Sequence, residues 1–251
     1  MSGHSKWSSI KHQKAVTDAR RGQAFTKLAR EIIVAAREGG GNPEVNFRLR
    51  LAVQKARDSN MPQDNIERAI KRGSGTLEGT SLVEMVLEGY GASGTAILVQ
   101  ALSDNRNRTL QEIRNIFQRN GGSLGESGCV AWLFDSKGLI RVEPGDLDTE
   151  QLALQAIDAG AEDVKVENGC LEIYTKPEEF EKVRAALERE NLVIASAELS
   201  LIPKTMVELE EKAALQTLKL LEKLEELDEV QHVSSNADFP NSTLEKYQAQ
   251  S

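Results

Sequence analysis

The chain has 251 residues, of which 39% are apolar and 28% are charged, a balance that places it among soluble globular proteins. No apolar run approaches the roughly 18 residues that suggest a membrane-spanning helix, and the first residues lack a signal-peptide core. The only cysteines, Cys129 and Cys170, do not form a C-x-x-C pair, which argues against a zinc site and a disulfide framework. We therefore expect two buried thiols in a cytoplasmic protein that has no metal and no membrane partner.

Charge is divided unevenly along the chain. Residues 1–75 hold 15 basic and 7 acidic side chains, a net charge of +8, whereas the whole chain carries −8. Residues 1–30 contain seven basic side chains and one acidic side chain, Asp18. This distribution concentrates attraction for phosphate at one end and predicts a nucleic-acid partner. A solvated basic face without a partner is the open alternative.

The first quarter of the chain predicts an arm and three helices. Residues 1–16 show no amphipathic period and indicate an extended arm. Residues 17–37 predict a helix with one apolar face, formed by Phe25, Leu28, Ala29, Ile32, Ile33 and Ala36. Asn42-Pro43 predicts the start of a second helix that buries Val45, Leu49, Ala52, Val53 and Ala56. Pro62 opens a third helix, which Gly73 and Gly75 end.

From residue 80 the period changes to that of strands. Leu82–Leu87 and Thr95–Leu102 predict two strands, a helix follows Asn105, and Cys129–Phe134 predicts another strand. The sequence Gly89-Tyr90-Gly91-Ala92-Ser93-Gly94 matches G-x-G-x-x-G. A strand follows it instead of the helix that a dinucleotide site requires, so it predicts a hairpin turn.

Residues 138–202 predict the order βαββαβ of a ferredoxin-like domain. Its predicted strands are 139–143, 163–167, 170–175 and 193–201, and its helices are 149–159 and 177–190. Asn168-Gly169 predicts the turn of a tight hairpin. After Pro203 come a helix to about Leu227 and a strand, Val230–Val233. Neither flanking piece can bury its apolar side alone, so we expect the two to form one domain.

The predicted fold class is α+β: an all-helical N-terminal domain followed by two α/β (ferredoxin-like) domains, one inserted in the other. The expected boundaries are 1–78 for the helical basic domain with its arm, 79–135 plus 203–237 for the discontinuous domain, 136–202 for the insertion, and 238–251 for a polar, frayed tail.

The candidate nucleic-acid contacts combine cations with residues that can stack or approach closely. They are His4, Ser5, Lys6, Trp7, Lys11, His12, Lys14, Arg20, Arg21, Lys27 and Arg30. Trp7 can stack on an unpaired base, or it can pack as a core anchor. A second basic patch, Arg106, Arg108 and Arg114, surrounds a helix entry where phosphate can bind. Salt bridges to neighbouring acids are the equal alternative for these arginines.

No catalytic motif is found in the sequence. The three histidines, His4, His12 and His232, lie far apart, and neither G-x-S-x-G nor G-x-x-x-x-G-K-[ST] occurs. We therefore expect a protein that is not an enzyme and that binds no cofactor and no small-molecule substrate.

Several stretches resemble one family. Gly3-His4-Ser5-Lys6-Trp7, with Ile10-Lys11-His12 and Lys14 after it, strongly resembles the YebC/PmpR family, which includes the mitochondrial translational activator of cytochrome c oxidase. Further matches are Asn60-Met61-Pro62 with Asn65-Ile66, Glu88-Gly89-Tyr90-Gly91, and Asp104-Asn105-Arg106-Asn107-Arg108-Thr109. The resemblance covers about residues 2–235. It departs at Ala92-Ser93 and in a longer C-terminal tail.

The resemblance implies three domains and regulation of gene expression without catalysis. Two roles compete: a DNA-binding transcriptional regulator, and a ribosome-associated translation factor that binds ribosomal RNA and relieves stalling, for example at proline runs. The sequence lacks a recognisable helix-turn-helix reading head, and an extended arm containing Ser and Gly suits irregular RNA at least as well as a duplex groove. A protein-interaction module that uses the acidic surface is the third alternative. We expect a monomer whose partner is DNA or ribosomal RNA, with the ribosome as a further partner.

Overall fold

The computed structural model describes residues 18–77, 81–145, 147–167, 169–190 and 192–250. The predicted arm over residues 1–16 lies outside these ranges. Within them, three helices are followed by two four-stranded antiparallel sheets against which helices pack. The α+β class is therefore confirmed.

Three helices form the N-terminal domain: α1 (Asp18–Gly39), α2 (Phe47–Asp58) and α3 (Gln63–Gly73). Their apolar stripes meet in one core, as predicted, and its fully buried members include Ile32, Ala35, Leu49, Ala56 and Ile66. Gly73 permits the close approach of α3 to α1, because a Cβ there would lie 2.3 Å from the carbonyl oxygen of Ile33.

The second helix begins later than predicted. Asn46 caps α2, since its side chain accepts a hydrogen bond from the N–H of Leu49 at 3.0 Å. Asn42 instead closes a turn, with its Oδ1 atom accepting from the N–H of Glu44 at 3.0 Å. Val45 therefore precedes the helix and is 79% exposed, so the prediction that it is buried is wrong.

The first sheet starts with the predicted hairpin. Strands β1 (Val83–Tyr90) and β2 (Ala96–Ser103) pair antiparallel, which confirms the glycine-rich segment as a turn between strands. Helix α4 (Arg106–Arg119) and the short strand β3 (Ser123–Leu124) follow. Asn105 caps α4 by accepting the N–H of Arg108 at 3.1 Å.

The predicted strand Cys129–Phe134 is wrong over most of its length. A turn and a short 3₁₀ helix, Ala131–Leu133, replace it, and a strand begins only at Phe134. The reason is a carboxylate: the N–H groups of Val130 and Ala131 both donate to Oε2 of Glu88 at 2.7 Å, so they are not available to a neighbouring strand.

Residues 134–204 form a compact unit of their own. Its elements are β4 (Phe134–Glu143), α5 (Thr149–Ala159), β5 (Asp163–Glu167), β6 (Cys170–Thr175), α6 (Phe180–Arg189) and β7 (Val193–Pro203). The strand order β5-β6-β4-β7, antiparallel throughout, is that of the predicted ferredoxin-like arrangement. Its fully buried side chains include Ile140, Leu171, Phe180 and Val183.

The chain then returns to the first sheet. It forms β8 (Val207–Glu208), α7 (Glu211–Glu225), β9 (Val230–Ser235), β10 (Ala237–Asp238) and α8 (Asn241–Gln250). Strand β9 pairs with β2, which gives the order β3-β1-β2-β9, and α4 and α7 pack on one face of this sheet. The four strands of this sheet and the two helices packed on it therefore follow the order ββαβαβ along the chain. This order differs from the βαββαβ order of residues 134–204.

The prediction of a frayed tail over 238–251 is wrong for the part that the structure describes. Strand β10 pairs with β8, and Phe239, Leu244 and Tyr247 are buried. Leu244 and Tyr247 stand one turn apart on α8 and thus give this polar helix an apolar side. The Tyr247 hydroxyl donates to Glu222 on α7, and burial together with this carboxylate raises the pKa of Tyr247.

Candidate nucleic-acid interface

A basic groove of about 590 Å³ lies between α1, α3 and the loop that enters α4. Phe25, Met61 and Leu82 are among its apolar lining residues. Its polar lining residues are Thr26, Arg30, Asn65, Arg68, Arg72 and Asp104. Three guanidinium groups and a single carboxylate make the groove attractive to anions.

Helix α3 supplies one wall of the groove. Asn65, Arg68 and Arg72 recur at i, i+3 and i+7, so they share one face, while Ile66 and Ala69 are buried and fix the helix. Both arginines are exposed, and within the described ranges neither makes an ion pair or a side-chain hydrogen bond. Their donor atoms therefore face the solvent of the groove.

The two basic patches predicted from the sequence meet at Glu229. Arg30 of α1 places its Nη1 atom 3.6 Å from Oε1 of Glu229 and donates to the carbonyl oxygen of Leu102 at 3.2 Å. Arg108 of α4 donates to the same Oε1 atom at 3.0 Å and to Oδ1 of Asp104 at 2.8 Å. For Arg108 the salt-bridge alternative therefore applies.

Helix α1 also contacts the C-terminal end of α7, the helix that packs on the first sheet. Nζ of Lys27 donates to the carbonyl oxygen of Glu225 at 2.5 Å, and the side chain of Gln23 donates to that of Glu226. Both carbonyls belong to the C-terminal end of α7, where backbone acceptors lack partners within the helix. Lys27, a predicted nucleic-acid contact, thus has a structural partner inside the protein.

The remaining candidate nucleic-acid contacts lie either outside the described residues or on helices α1 and α4. His4, Ser5, Lys6, Trp7, Lys11, His12 and Lys14 lie outside the described residues, so their contacts stay predictions. Arg20 lies in α1 but its side chain is not among those described, and Arg21 is exposed. Arg106 and Arg114 are exposed on α4 without an ion pair to any residue of the described ranges.

Sequence analysis missed Arg68 and Arg72. The available signal was their common face with Asn65, which itself belongs to a stretch that resembles the YebC/PmpR family. Composition could not single them out, because residues 1–75 contain 15 basic side chains and only the packing of α3 shows which ones line the groove.

Other classes of site find no support in the described ranges. There, no group of three or more His, Cys, Asp or Glu side chains could hold a metal ion, and no helix is long and apolar enough to cross a membrane. Cys129 and Cys170 are free thiols, and each is only partly buried, so the expectation of two buried thiols is wrong.

Comparison with known proteins places the chain in a family. Residues 5–76 match the TACO1/YebC protein N-terminal domain, and residues 82–237 match the TACO1/YebC second and third domain. The chain belongs to the TACO1/YebC family. The resemblance inferred from the opening motif is confirmed.

The chain is similar to other proteins over most or all of their length. A probable transcriptional regulatory protein of Dehalococcoides mccartyi strain CBDB1 is 60% identical over 250 residues, which cover 100% of both chains. One of Natranaerobius thermophilus is 52% identical over 248 residues, 98% of this chain and 99% of that one. The crystal structure of a conserved hypothetical protein from Aquifex aeolicus has 48% identity and a TM-score of 0.82. The structural match covers 89% of this chain and 93% of the Aquifex aeolicus chain.

Proposed function

We propose that this member of the TACO1/YebC family is a nucleic-acid-binding regulator of gene expression that acts without catalysis. The observation that carries the proposal is the groove wall formed by Arg68 and Arg72, two exposed guanidinium groups that pair with no acid of the described residues. Guanidinium forks match phosphate geometry, and each phosphate they neutralise releases counterions from the nucleic acid.

The electrostatics of the groove favour a phosphate backbone over a small anion. Arg30 lines the groove on the α1 side and also approaches Glu229, while Asp104, the one acidic lining residue, is paired with Arg108, so its negative charge is partly compensated. The apolar lining includes Phe25 and Met61 between these charges, which suits the sugar and base parts of a nucleotide. A strand that follows the groove therefore finds cations on two sides.

The primary candidate is a DNA-binding transcriptional regulator. The support is the name that the relatives carry, probable transcriptional regulatory protein, together with identities of 50–60% over nearly the full length. The second candidate is a translation factor that binds RNA, including ribosomal RNA. It is favoured by the concave shape of the basic surface, since Arg68 and Arg72 line a groove instead of projecting from a recognition helix.

Crosslinking in living cells, followed by sequencing of the attached nucleic acid, tests the proposal. Promoter DNA among the products supports the primary candidate, and ribosomal or messenger RNA supports the second. The double variant Arg68→Gln/Arg72→Gln should lose most crosslinks, whereas Lys212→Gln/Lys219→Gln, which changes two exposed cations of α7, should keep them. Crosslinks that do not depend on Arg68 and Arg72 would contradict the groove as the binding surface.

A further inference from the structure

Two aromatic side chains are tethered to one carbonyl at the surface of the first sheet. Trp132 is 65% exposed and Tyr90, the last residue of β1, is 38% exposed. The indole Nε1–H and the phenol O–H both donate to the carbonyl oxygen of Cys129, each at 3.2 Å. Because the polar atoms of both rings bind inside the protein, the exposed surface that the rings offer is largely that of their aromatic carbons.

A buried carboxylate fixes the loop that carries Trp132. Glu88 is 5% exposed and accepts the N–H groups of Gly128, Val130 and Ala131 at 2.6, 2.7 and 2.7 Å. Burial raises the pKa of Glu88, but the three N–H donors outweigh burial and lower the pKa below its ordinary value. Glu88 is therefore ionised at neutral pH, and its three hydrogen bonds fasten the loop that carries Trp132 to strand β1.

The surroundings of Trp132 decide between kinds of partner. Anchors of protein–protein interfaces sit among other apolar side chains that exclude water. The exposed residues that precede Trp132 in its loop are instead small or polar: Gly125, Glu126, Ser127 and Gly128. An exposed aromatic surface whose polar atom is already hydrogen-bonded suits a flat ligand that stacks, and nucleobases stack on aromatic side chains whatever their sequence.

We propose that Trp132, with Tyr90 beside it, is the stacking site for an unpaired nucleobase. This inference rests on the proposed function, because the base belongs to a nucleic acid that the basic groove also binds. The base must be unpaired, since bases inside a duplex are stacked on one another and cannot offer a face. Single-stranded RNA and opened DNA share this chemistry, and the test below separates them.

The experiment uses the intrinsic fluorescence of Trp132. The chain has two tryptophans, Trp7 and Trp132, so the variant Trp7→Phe leaves Trp132 as the only indole. This full-length variant is titrated with end-labelled oligoadenylate RNA, with the matching DNA strand and with blunt duplexes of both. Anisotropy of the label reports binding, and tryptophan emission reports stacking. We expect the single strands to quench Trp132 as they bind and the duplexes to bind without quenching.

Substitution gives the second measurement. Trp132→Ala should weaken single-strand binding by about 5- to 150-fold and leave duplex binding unaltered, while Trp132→Phe should retain most of the affinity. Val45→Ala, at a residue 79% exposed outside the groove, is the control and should change neither.

Three results would overturn the inference, and they can be told apart. Single strands that bind without quenching, together with an unchanged affinity of Trp132→Ala, would show that the groove binds nucleic acid but that Trp132 does not stack. Emission that changes with protein concentration instead of nucleic acid would identify a protein contact. Absence of any anisotropy change with both the wild type and Trp7→Phe would remove the proposed function together with the stacking site.

Discussion

Arg30 and Arg108 approach the same carboxylate oxygen, Oε1 of Glu229, at 3.6 and 3.0 Å. One arginine belongs to the helical domain and the other to the helix that follows the first hairpin. The Glu229 side chain is only 11% exposed and lies between the two guanidinium groups. Under the proposed function, a nucleic-acid phosphate in the groove competes with this carboxylate for Arg30, which lines the groove.

Glu229→Gln tests that competition. Removal of the negative charge should tighten nucleic-acid binding by about three- to tenfold, on the scale where 1.4 kcal/mol equals a tenfold change. The free energy of unfolding should fall by about 1 kcal/mol, because an amide still hydrogen-bonds but no longer pairs ionically. Titration and urea denaturation measure the two effects. Glu226→Gln, which alters an exposed pair with Lys223, is the control; weaker binding by Glu229→Gln would contradict the competition.

Acid should loosen the Trp132 loop through Glu88. The pKa of Glu88 is lowered in the folded protein, so its contribution to stability is present above the unfolded value of about 4.3 and is lost as pH falls through the folded value. Emission of Trp132 in the Trp7→Phe variant should therefore be constant near neutrality and change only in acid, below the ordinary pKa of a glutamate.

Glu88→Gln should remove this acid transition and lower the free energy of unfolding by about 1–3 kcal/mol, because an amide N–H₂ would face backbone donors. Glu126→Gln, an exposed acid of the same loop, serves as the matched control and should behave like the wild type. An acid transition that persists in Glu88→Gln would assign the titration to another group.

Leu244→Ala tests whether α8 is part of the folded domain. Leu244 is 8% exposed in the core that α7 and the first sheet share, so its truncation should cost about 2–5 kcal/mol in urea denaturation. Glu245→Ala, at the neighbouring exposed position, should stay within about 0.5 kcal/mol of the wild type. Equal stability of the two variants would show that α8 does not stabilise the folded domain and would support the frayed tail.

Residues 134–204 should fold in isolation, because their four strands and two helices enclose their own core around Ile140, Leu171 and Phe180. The domain boundaries expected from the sequence place this insertion at 136–202. Expression of residues 134–204 and a thermal melt followed by circular dichroism test the division. A cooperative transition is expected, and a non-cooperative one would show that the insertion depends on the rest of the chain.

Local patterns predicted the regular elements well. Asn105 indicates the start of α4, the predicted strand 193–201 corresponds to β7, and the order of elements over 138–202 indicates a ferredoxin-like unit. These signals succeed because capping and periodicity act over a few residues. The predictions that Val45 is buried and that the second helix starts at Asn42-Pro43 were wrong. Asn42 and Asn46 both suit a helix cap, and only the packing of the helix selects Asn46.

Features that depend on distant partners could not be predicted. The apolar run Cys129–Phe134 resembles a strand, but Glu88, far away in sequence, binds the backbone donors that a strand would need. The groove was missed for the same reason, since Arg68 lines it only because α3 packs against α1. The charge distribution predicted a basic surface in the helical domain; tertiary contacts decide which arginines pair with acids inside the protein and which line the groove.

The salt dependence of binding tests the central claim, that Arg68 and Arg72 hold phosphate in the groove. Affinity is measured against salt concentration for the wild type, Arg68→Gln/Arg72→Gln and the control Lys212→Gln/Lys219→Gln, on duplex and on single-stranded nucleic acid. Each phosphate contact adds roughly 0.9 to the slope on a duplex and roughly 0.7 on a single strand. The account predicts that the groove variant loses about 1.8 on a duplex or about 1.4 on a single strand, and that the control retains the wild-type slope. A groove variant whose slope equals that of the wild type on both substrates would contradict the account.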